Sequence, residues 1–319
     1  MKFMIRKQKL KMIIFFYSLT FGLFFARTSL GNKLIGNPFA ISNLKFFEAK
    51  KDFEGGEFLN ASLNKDGGIS LKKVKNVFPT EGSYISLPTP SEFPMTEMIP
   101  SWNVDIPTST GIRIDFQVSE DKKNWSGWLY LGRDGDTPEI TDKNISTDGA
   151  TVDVDYIMFS KPFNYFKWRI QFFTKLPDKT PRLKLFTVCY GNSKGDEKIF
   201  REFSTLNKIN IPEKKQWVKK LNIPYRSQLA KDPEIKEIRG SICCATSLAM
   251  LIEYFGDNLT TKQVCDLCYN KDYNIWGSWA SASQTLSRFG HRSYVTQIRS
   301  FDQIKEYIAR DIADASIRR

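Results

Sequence analysis

The chain has 319 residues, of which 41% are hydrophobic and 26% are charged. This length is enough for two domains, and this composition excludes wholesale disorder. The 25 phenylalanines favour a well-packed β-rich component over a solenoid or a coiled coil. The formal net charge of +12 falls to about +6 when the six basic residues before Asn32 are set aside. The remaining excess is mild and spread along the chain, so it does not indicate a nucleic-acid partner.

The N-terminus carries the pattern of an export signal. Basic residues precede an almost wholly apolar run, Met12–Ala26. This run of about 15 residues is shorter than the roughly 20 that a bilayer-spanning helix needs. Ser29 and Gly31 are small residues at the positions expected before a cleavage site at Asn32. We predict a signal peptide over residues 1–31, and a protein that is secreted or associated with the cell surface. An uncleaved N-terminal anchor is the alternative.

Residues 32–191 are predicted to form an all-β sandwich. Short runs of alternating polarity recur there, separated by clusters of Gly, Pro, Asp and Asn: Gly111–Val118, Trp128–Leu131, Thr151–Tyr156, Phe166–Phe173 and Leu183–Tyr190. Evenly spaced short strands with turn signals are typical of this architecture. Residues 192–221 are rich in Lys and Glu, and we expect a charged linker with at most one short helix.

Residues 222–319 are predicted to form an α+β domain. A helix over Thr246–Phe255 places four apolar residues on one face, and Gly256 ends it. Ser278 is expected to cap a helix that runs to Phe289, and Ser300 with Gln303 forms a capping box for the next helix, Phe301–Arg310. Two segments read as strands: Arg292–Ile298 and Ala315–Arg318.

Two adjacent cysteines open the first of these helices. The sequence has five cysteines, so at least one thiol stays unpaired and is a candidate nucleophile in an exported protein. A cysteine in the first turn of a helix lies near the positive end of the helix dipole, which favours the thiolate. Cys244 lies on the apolar stripe, whereas Cys243 is rotated about 100° away from it and is expected to be exposed. From spacing alone, two small buried thiols are an equally good interpretation.

Gln228 lies upstream of these cysteines. Its side-chain amide is a candidate donor to a developing oxyanion, together with a backbone N–H near the cysteine. Acyl transfer by a thiolate also needs a His base oriented by Asp or Asn.

Four segments, in this order, resemble the bacteriocin-processing peptidase-like family of papain-fold cysteine peptidases (cysteine peptidase family thirty-nine), in its secreted, stand-alone bacterial branch: Pro224–Gln228, Cys243–Met250, Gly277–Trp279 and Ser293–Val295. The resemblance covers about Asn222 to the C-terminus. It implies that Cys243 is the nucleophile and Gln228 the oxyanion donor. One departure is Ala245, where the family usually has Pro.

The resemblance also implies a catalytic His beyond a strand similar to Ala315–Ile317, followed by Asp or Asn. The given chain stops at Arg319, before that point, and its single histidine is His291. We therefore expect an incomplete papain-like cysteine peptidase domain that is inactive by itself, with His291 as an ordinary surface residue.

Two further patterns have ordinary structural interpretations. Cys265 and Cys268 form a C-x-x-C motif, but without a second ligand pair a helical turn with two small residues is expected, and no metal or cofactor. Four tryptophans of the sandwich are expected mostly in the core, with at most one exposed to a ligand: Trp102, Trp125, Trp128 and Trp168. Their surroundings resemble the β-sandwich often placed before such peptidase domains.

The sequence thus predicts an exported cysteine peptidase that hydrolyses peptide or amide bonds of a peptide or protein substrate outside the cell. The alternative is a non-catalytic surface protein whose sandwich binds carbohydrate or a cell-wall polymer and whose peptidase half is degenerate.

Overall fold

A computed structural model of the chain describes residues 12–17, 37–207, 212–218, 221–310 and 313–317. Of the predicted signal peptide, only Met12–Tyr17 lies within these ranges, and it forms strand β1. The rest of residues 1–31 lies outside the described residues. Export therefore stays a prediction.

The first large unit is a single twelve-stranded sheet. Its strands are β2 (Ile41–Phe47), β3 (Glu57–Leu59), β4 (Ala61–Leu63), β5 (Ile69–Leu71), β6 (Glu81–Ile85), β7 (Thr89–Asp105), β8 (Thr110–Ser119), β9 (Leu129–Gly135), β10 (Ser146–Thr147), β11 (Ala150–Asp153), β12 (Tyr156–Thr174) and β13 (Arg182–Asn192). A short helix, α1 (Lys50–Phe53), follows β2. The long strand β7 pairs antiparallel with both β12 and β13, and the second half of β12 pairs with β6 and β8.

The sheet folds over on itself around an aromatic core. The rings of Trp168 on β12 and Phe186 on β13 are stacked with their centroids 4.0 Å apart. Phe116 on β8 lies 5.9 Å from Phe186, although β8 and β13 are not neighbours in the sheet. All three side chains are fully buried. Truncating any of them to Ala is expected to cost about 3–5 kcal/mol of stability, because a large cavity would remain.

The C-terminal part mixes helices and strands. Its elements are α4 (Cys243–Tyr254), α5 (Thr261–Leu267), β14 (Tyr269–Asn270), β15 (Ile275–Trp276), α6 (Trp279–Ser287), β16 (Arg292–Gln297), α7 (Phe301–Ala309) and β17 (Ala313–Ile317). Strand β1 lies between β16 and β17 and is parallel to both. Ser278 caps α6, and the predicted capping box of Ser300 and Gln303 opens α7. A second buried core, separate from that of the sandwich, packs α4, α5 and α6 together.

The fold class predicted from the sequence is confirmed: a β-rich unit precedes an α+β unit. The segment predicted as a linker contains two helices, α2 (Glu197–Leu206) and α3 (Lys214–Trp217). Helix α2 packs on the sandwich, with the ring of Phe203 centred 5.1 Å from that of Phe93. The domain boundaries stay a prediction. Within the described ranges, no helix combines the length and apolar character needed to cross a membrane.

The two units share a buried polar interface. Alternate backbone N–H groups of β16 donate to side chains of the sandwich: Ser293 to Asn103 Oδ1 (3.1 Å), Val295 to Ser101 Oγ (2.9 Å) and Gln297 to Cys189 Sγ (3.2 Å). Asn103 also donates to the carbonyl of Ser293 at 2.8 Å, so its amide pairs with this strand as a neighbouring backbone would. These side chains cover one edge of β16.

Helix α6 covers part of β7 in the same way. The side-chain amide of Gln284 accepts from the N–H of Val104 at 2.9 Å and donates to its carbonyl at 2.7 Å. Both units therefore meet through satisfied backbone groups, and apolar contacts also cross between them: the ring centroids of Phe46 on β2 and Tyr294 on β16 lie 5.0 Å apart.

Candidate active site

Cys243 is the first residue of α4 and is exposed, whereas Cys244 is buried. This is the arrangement that the helical spacing predicts. The residue before the helix, Ile242, provides no side-chain cap, although the other described helices of eight or more residues are each capped by a side chain. Ile242 therefore does not supply the side-chain acceptor that usually caps the first turn of a helix. An electrophile or anion at Cys243 would lie near the positive end of the helix dipole.

The remaining thiols are inaccessible. All five cysteines lie in the described part of the chain, none forms a disulfide, and the four other than Cys243 are buried. Burial raises the pKa of Cys189 and of Cys265 to about 11, and it also raises the pKa of Cys268. Since the thiolate is the reactive form, these thiols are poor nucleophiles. Cys265 lies in the last turn of α5 and Cys268 is the residue that follows this helix; no group of three or more potential metal ligands occurs among the described residues.

A glycine turn packs on the first turn of α4. Gly277 has φ +90°, and its N–H donates to the carbonyl of Cys268 at 3.0 Å. A Cβ at this position would lie 2.6 Å from the Cβ of Cys244 and 2.7 Å from its Sγ. Only glycine therefore suits both the backbone conformation and the close approach. The sequence pointed to Gly277 by resemblance alone and gave it no physical role.

Gln228 belongs to a segment that is fixed against α4 by its neighbour. The guanidinium of Arg226 donates to Glu253, in the last turn of α4, from Nε at 2.9 Å and from Nη2 at 2.5 Å. It also donates to the carbonyl of Leu259 at 2.7 Å. No local pattern in the sequence singles out Arg226, because its partner lies 27 residues further along the chain.

The structure does not join Gln228 to Cys243 by a hydrogen bond. Gln228 is partly buried, and its Oε1 has no hydrogen-bond partner among the described residues. This amide oxygen is therefore not held by a structural contact there. The role of Gln228 as an oxyanion donor stays a prediction.

His291 lies at the other end of α4 from Cys243. Its ring packs on Phe255, the residue that ends α4, with centroids 4.5 Å apart. Twelve residues of helix separate Phe255 from Cys243, which corresponds to about 18 Å at 1.5 Å per residue. His291 is partly buried. Burial lowers its pKa, and its Nε2 is buried without a partner among the described residues. This imidazole is not placed to accept a proton from Cys243.

Two family matches account for most of the chain. Residues 43–191 match the Peptidase C39 N-terminal domain, in its actinobacterial form. Residues 220–314 match the Peptidase_C39 like family. The fold and the cysteine that opens α4 thus define a peptidase-like protein with an added N-terminal β-domain. Together the two matches support a peptidase C39-like protein that carries an N-terminal domain.

Other comparisons add little. No curated protein matches the chain. A structure of peanut lectin is 11% identical to this chain and has a TM-score of 0.25. The match covers 47% of this chain and 97% of the lectin chain. A structure of the infectious bursal disease virus Gt strain is 7% identical, covers 54% of this chain and 37% of its own, and has a TM-score of 0.27. Structural similarity at this level is too low to indicate a shared function.

Proposed function

We propose that the protein is an exported cysteine peptidase of papain-like type, with Cys243 as its nucleophile. The observation that carries the proposal is the single exposed thiol at the first residue of an uncapped helix, within the part of the chain that matches the peptidase family. The substrate would be a peptide or protein at or outside the cell surface.

The proposed chemistry is acyl transfer. The thiolate of Cys243 attacks the scissile carbonyl carbon, and the carbonyl oxygen becomes an oxyanion. N–H groups of the first turn of α4 and the side-chain amide of Gln228 would stabilise this oxyanion. Losing one such donor typically costs about 10²–10³-fold in rate. The amine then leaves with a proton, and water hydrolyses the thioester.

The proton transfers need a base, and His291 is excluded by its place at the far end of α4. It is the only histidine of the 319 residues. We therefore expect this chain by itself to lack measurable peptidase activity. If Cys243 is the nucleophile, added imidazole is expected to substitute for the base and to produce slow hydrolysis.

The test compares hydrolysis of a fluorogenic peptide library with and without imidazole. The expected result is imidazole-dependent cleavage that is abolished in Cys243→Ala and kept in Cys268→Ala, which serves as the matched control at a buried thiol. Cleavage without imidazole that disappears in His291→Ala would mean that His291 is the base. Cleavage that survives Cys243→Ala would refute the assignment of the nucleophile.

A second candidate function is binding of carbohydrate or a cell-wall polymer by the sandwich. Trp102 and Trp168 are buried, but Trp125 is only partly buried and lines a cleft of about 460 Å³. The same cleft is lined by polar side chains, among them Asp121, Asn124, Asp148 and Lys161. An aromatic ring beside several hydrogen-bonding groups is the combination that sugar recognition uses.

This candidate is tested by co-sedimentation with insoluble cell-wall polymer and by fluorescence titration with soluble wall fragments. Binding that is lost in Trp125→Ala and kept in Trp217→Ala, a partly buried tryptophan outside the sandwich, would support it. Equal binding by both variants would exclude the cleft.

A further inference from the structure

The loop between α5 and α6 touches the candidate active site on one side and the sandwich on the other. It consists of residues 268–278 and contains the short hairpin of β14 and β15. On the active-site side, Gly277 packs directly on Cys244, the residue that follows the proposed nucleophile. A movement of this loop therefore cannot leave the first turn of α4 unaffected.

On the other side, the sandwich holds the tip of the loop through Asp272. The carboxylate of Asp272 accepts from Arg133 Nη2 at 2.8 Å and from Lys143 Nζ at 2.7 Å, and the hydroxyl of Tyr130 also donates to it. Its side chain is only 4% exposed. Burial opposes its ionisation, but the donors from Lys143, Tyr130 and Arg133 together hold the pKa of Asp272 below its ordinary value. A buried carboxylate with this many donors is a strong local restraint.

A second carboxylate of the sandwich holds the end of the loop. Asp155 lies in the tight turn between β11 and β12 and is 5% exposed. Its Oδ2 accepts from the N–H of Ala280, in the first turn of α6, at 3.0 Å. The preceding residue, Val154, has φ +62°, which is strained for a β-branched side chain. The turn thus keeps an unfavourable backbone conformation next to the carboxylate that reaches α6.

We propose that Asp272 and Asp155 are positioning residues: through them the sandwich fixes the loop 268–278, and through Gly277 the loop fixes the first turn of α4 that carries Cys243. The sandwich is then an integral part of the nucleophile's environment. The catalytic meaning rests on the proposed function, but the mechanical coupling does not.

The coupling is measured by the alkylation of Cys243 with iodoacetamide as a function of pH, which needs no hydrolysis. Tyr130→Phe removes one donor to Asp272 and keeps the ring. Tyr190→Phe is the matched control, since its buried hydroxyl accepts from Asn43 and from the N–H of Glu92 on the same sandwich. We expect Tyr130→Phe and Asp272→Asn each to change the rate at least about threefold and to shift the pH profile, and Tyr190→Phe to change neither.

The double variant Tyr130→Phe/Asp272→Asn separates positioning from general destabilisation. If both substitutions act through the contact between Tyr130 and Asp272, the double variant has the same alkylation rate as Asp272→Asn alone. If they damage the structure independently, their effects on the rate are additive. Unchanged alkylation in both single variants, with unfolding midpoints showing that they fold, would overturn the proposal, and so would additive effects. If Asp272→Asn fails to fold, the alkylation rate of Cys243 in Tyr130→Phe is compared with that in Tyr190→Phe, and this comparison tests the coupling. Altered alkylation without imidazole-dependent hydrolysis would leave the coupling intact and refute the proposed function.

Discussion

Gly277→Ala is expected to destabilise the α+β unit through two separate contributions, one from the backbone and one from overpacking. The left-handed backbone at φ +90° costs a residue with a Cβ about 1–2 kcal/mol. The new methyl would also lie 2.6 Å from the Cβ of Cys244, about 1 Å inside an ordinary carbon–carbon contact. Overpacking of this kind costs about 1–3 kcal/mol. The expected total is about 2–5 kcal/mol.

Gly290→Ala isolates the backbone contribution. Gly290 has φ +78°, and nothing lies within 4 Å of where its Cβ would be. Urea unfolding followed by tryptophan fluorescence measures both variants. With an m-value of about 2 kcal/mol per M, the additional overpacking in Gly277→Ala should lower the midpoint by a further 0.5–1.5 M or so. Equal midpoints for the two variants would refute the close contact between the glycine turn and α4.

The remaining predictions concern thiols, protons and processing. Burial raises the pKa of Cys265 to about 11, so very little of this thiol is ionised at pH 7.5. Brief alkylation and peptide mapping should therefore label Cys243 first, and earlier labelling of Cys244 would reverse their assignment. The lowered pKa of His291 means that the unfolded chain binds a proton more readily, so the unfolding free energy should fall as the pH drops below about 6.5. His291→Phe should remove that part of the pH dependence between pH 7.5 and 6, and an unchanged slope would contradict it. N-terminal sequencing of the secreted protein should begin near Asn32; intact Met1 in a cytosolic protein would refute export.

Local signals predicted the helices well. The stripe from Leu248 to Phe255 placed α4, and it also separated the buried Cys244 from the exposed Cys243. The capping box at Ser300 located α7 to within one residue. Each of these signals lies within a few residues of the structure it specifies, so a single sequence is sufficient.

Strand β7 was missed for a physical reason. It contains three prolines, which argue against a central strand because proline cannot donate to the sheet. One of them, Pro100, is paired with Val188 of β13, at a point beyond the last residue that β7 pairs with β12. A strand flanked by a second strand over only part of its length accommodates proline where that pairing has stopped.

The candidate site was predictable only in part. The cysteine at the start of α4 carries its own local signal, but the residues around it are supplied by distant parts of the chain. Glu253 is 27 residues from Arg226, and Asp272 is 139 residues from Arg133. The residues next to a single aspartate in the sequence do not indicate which basic side chain will form an ion pair with it.

The side chains that cover the edge of β16 also bear on the order in which the protein folds. Synthesis proceeds from the N-terminus, and β13 is complete about 100 residues before β16 is made. When β16 is made, the sandwich can therefore already be folded. Its surface then presents the side chains of Asn103, Ser101 and Cys189 to the new strand. A newly made strand with open N–H groups readily pairs with a strand of another molecule. The sandwich is made first and binds the edge of β16 in the α+β unit. Damage to the sandwich should therefore appear first as aggregation of the α+β unit.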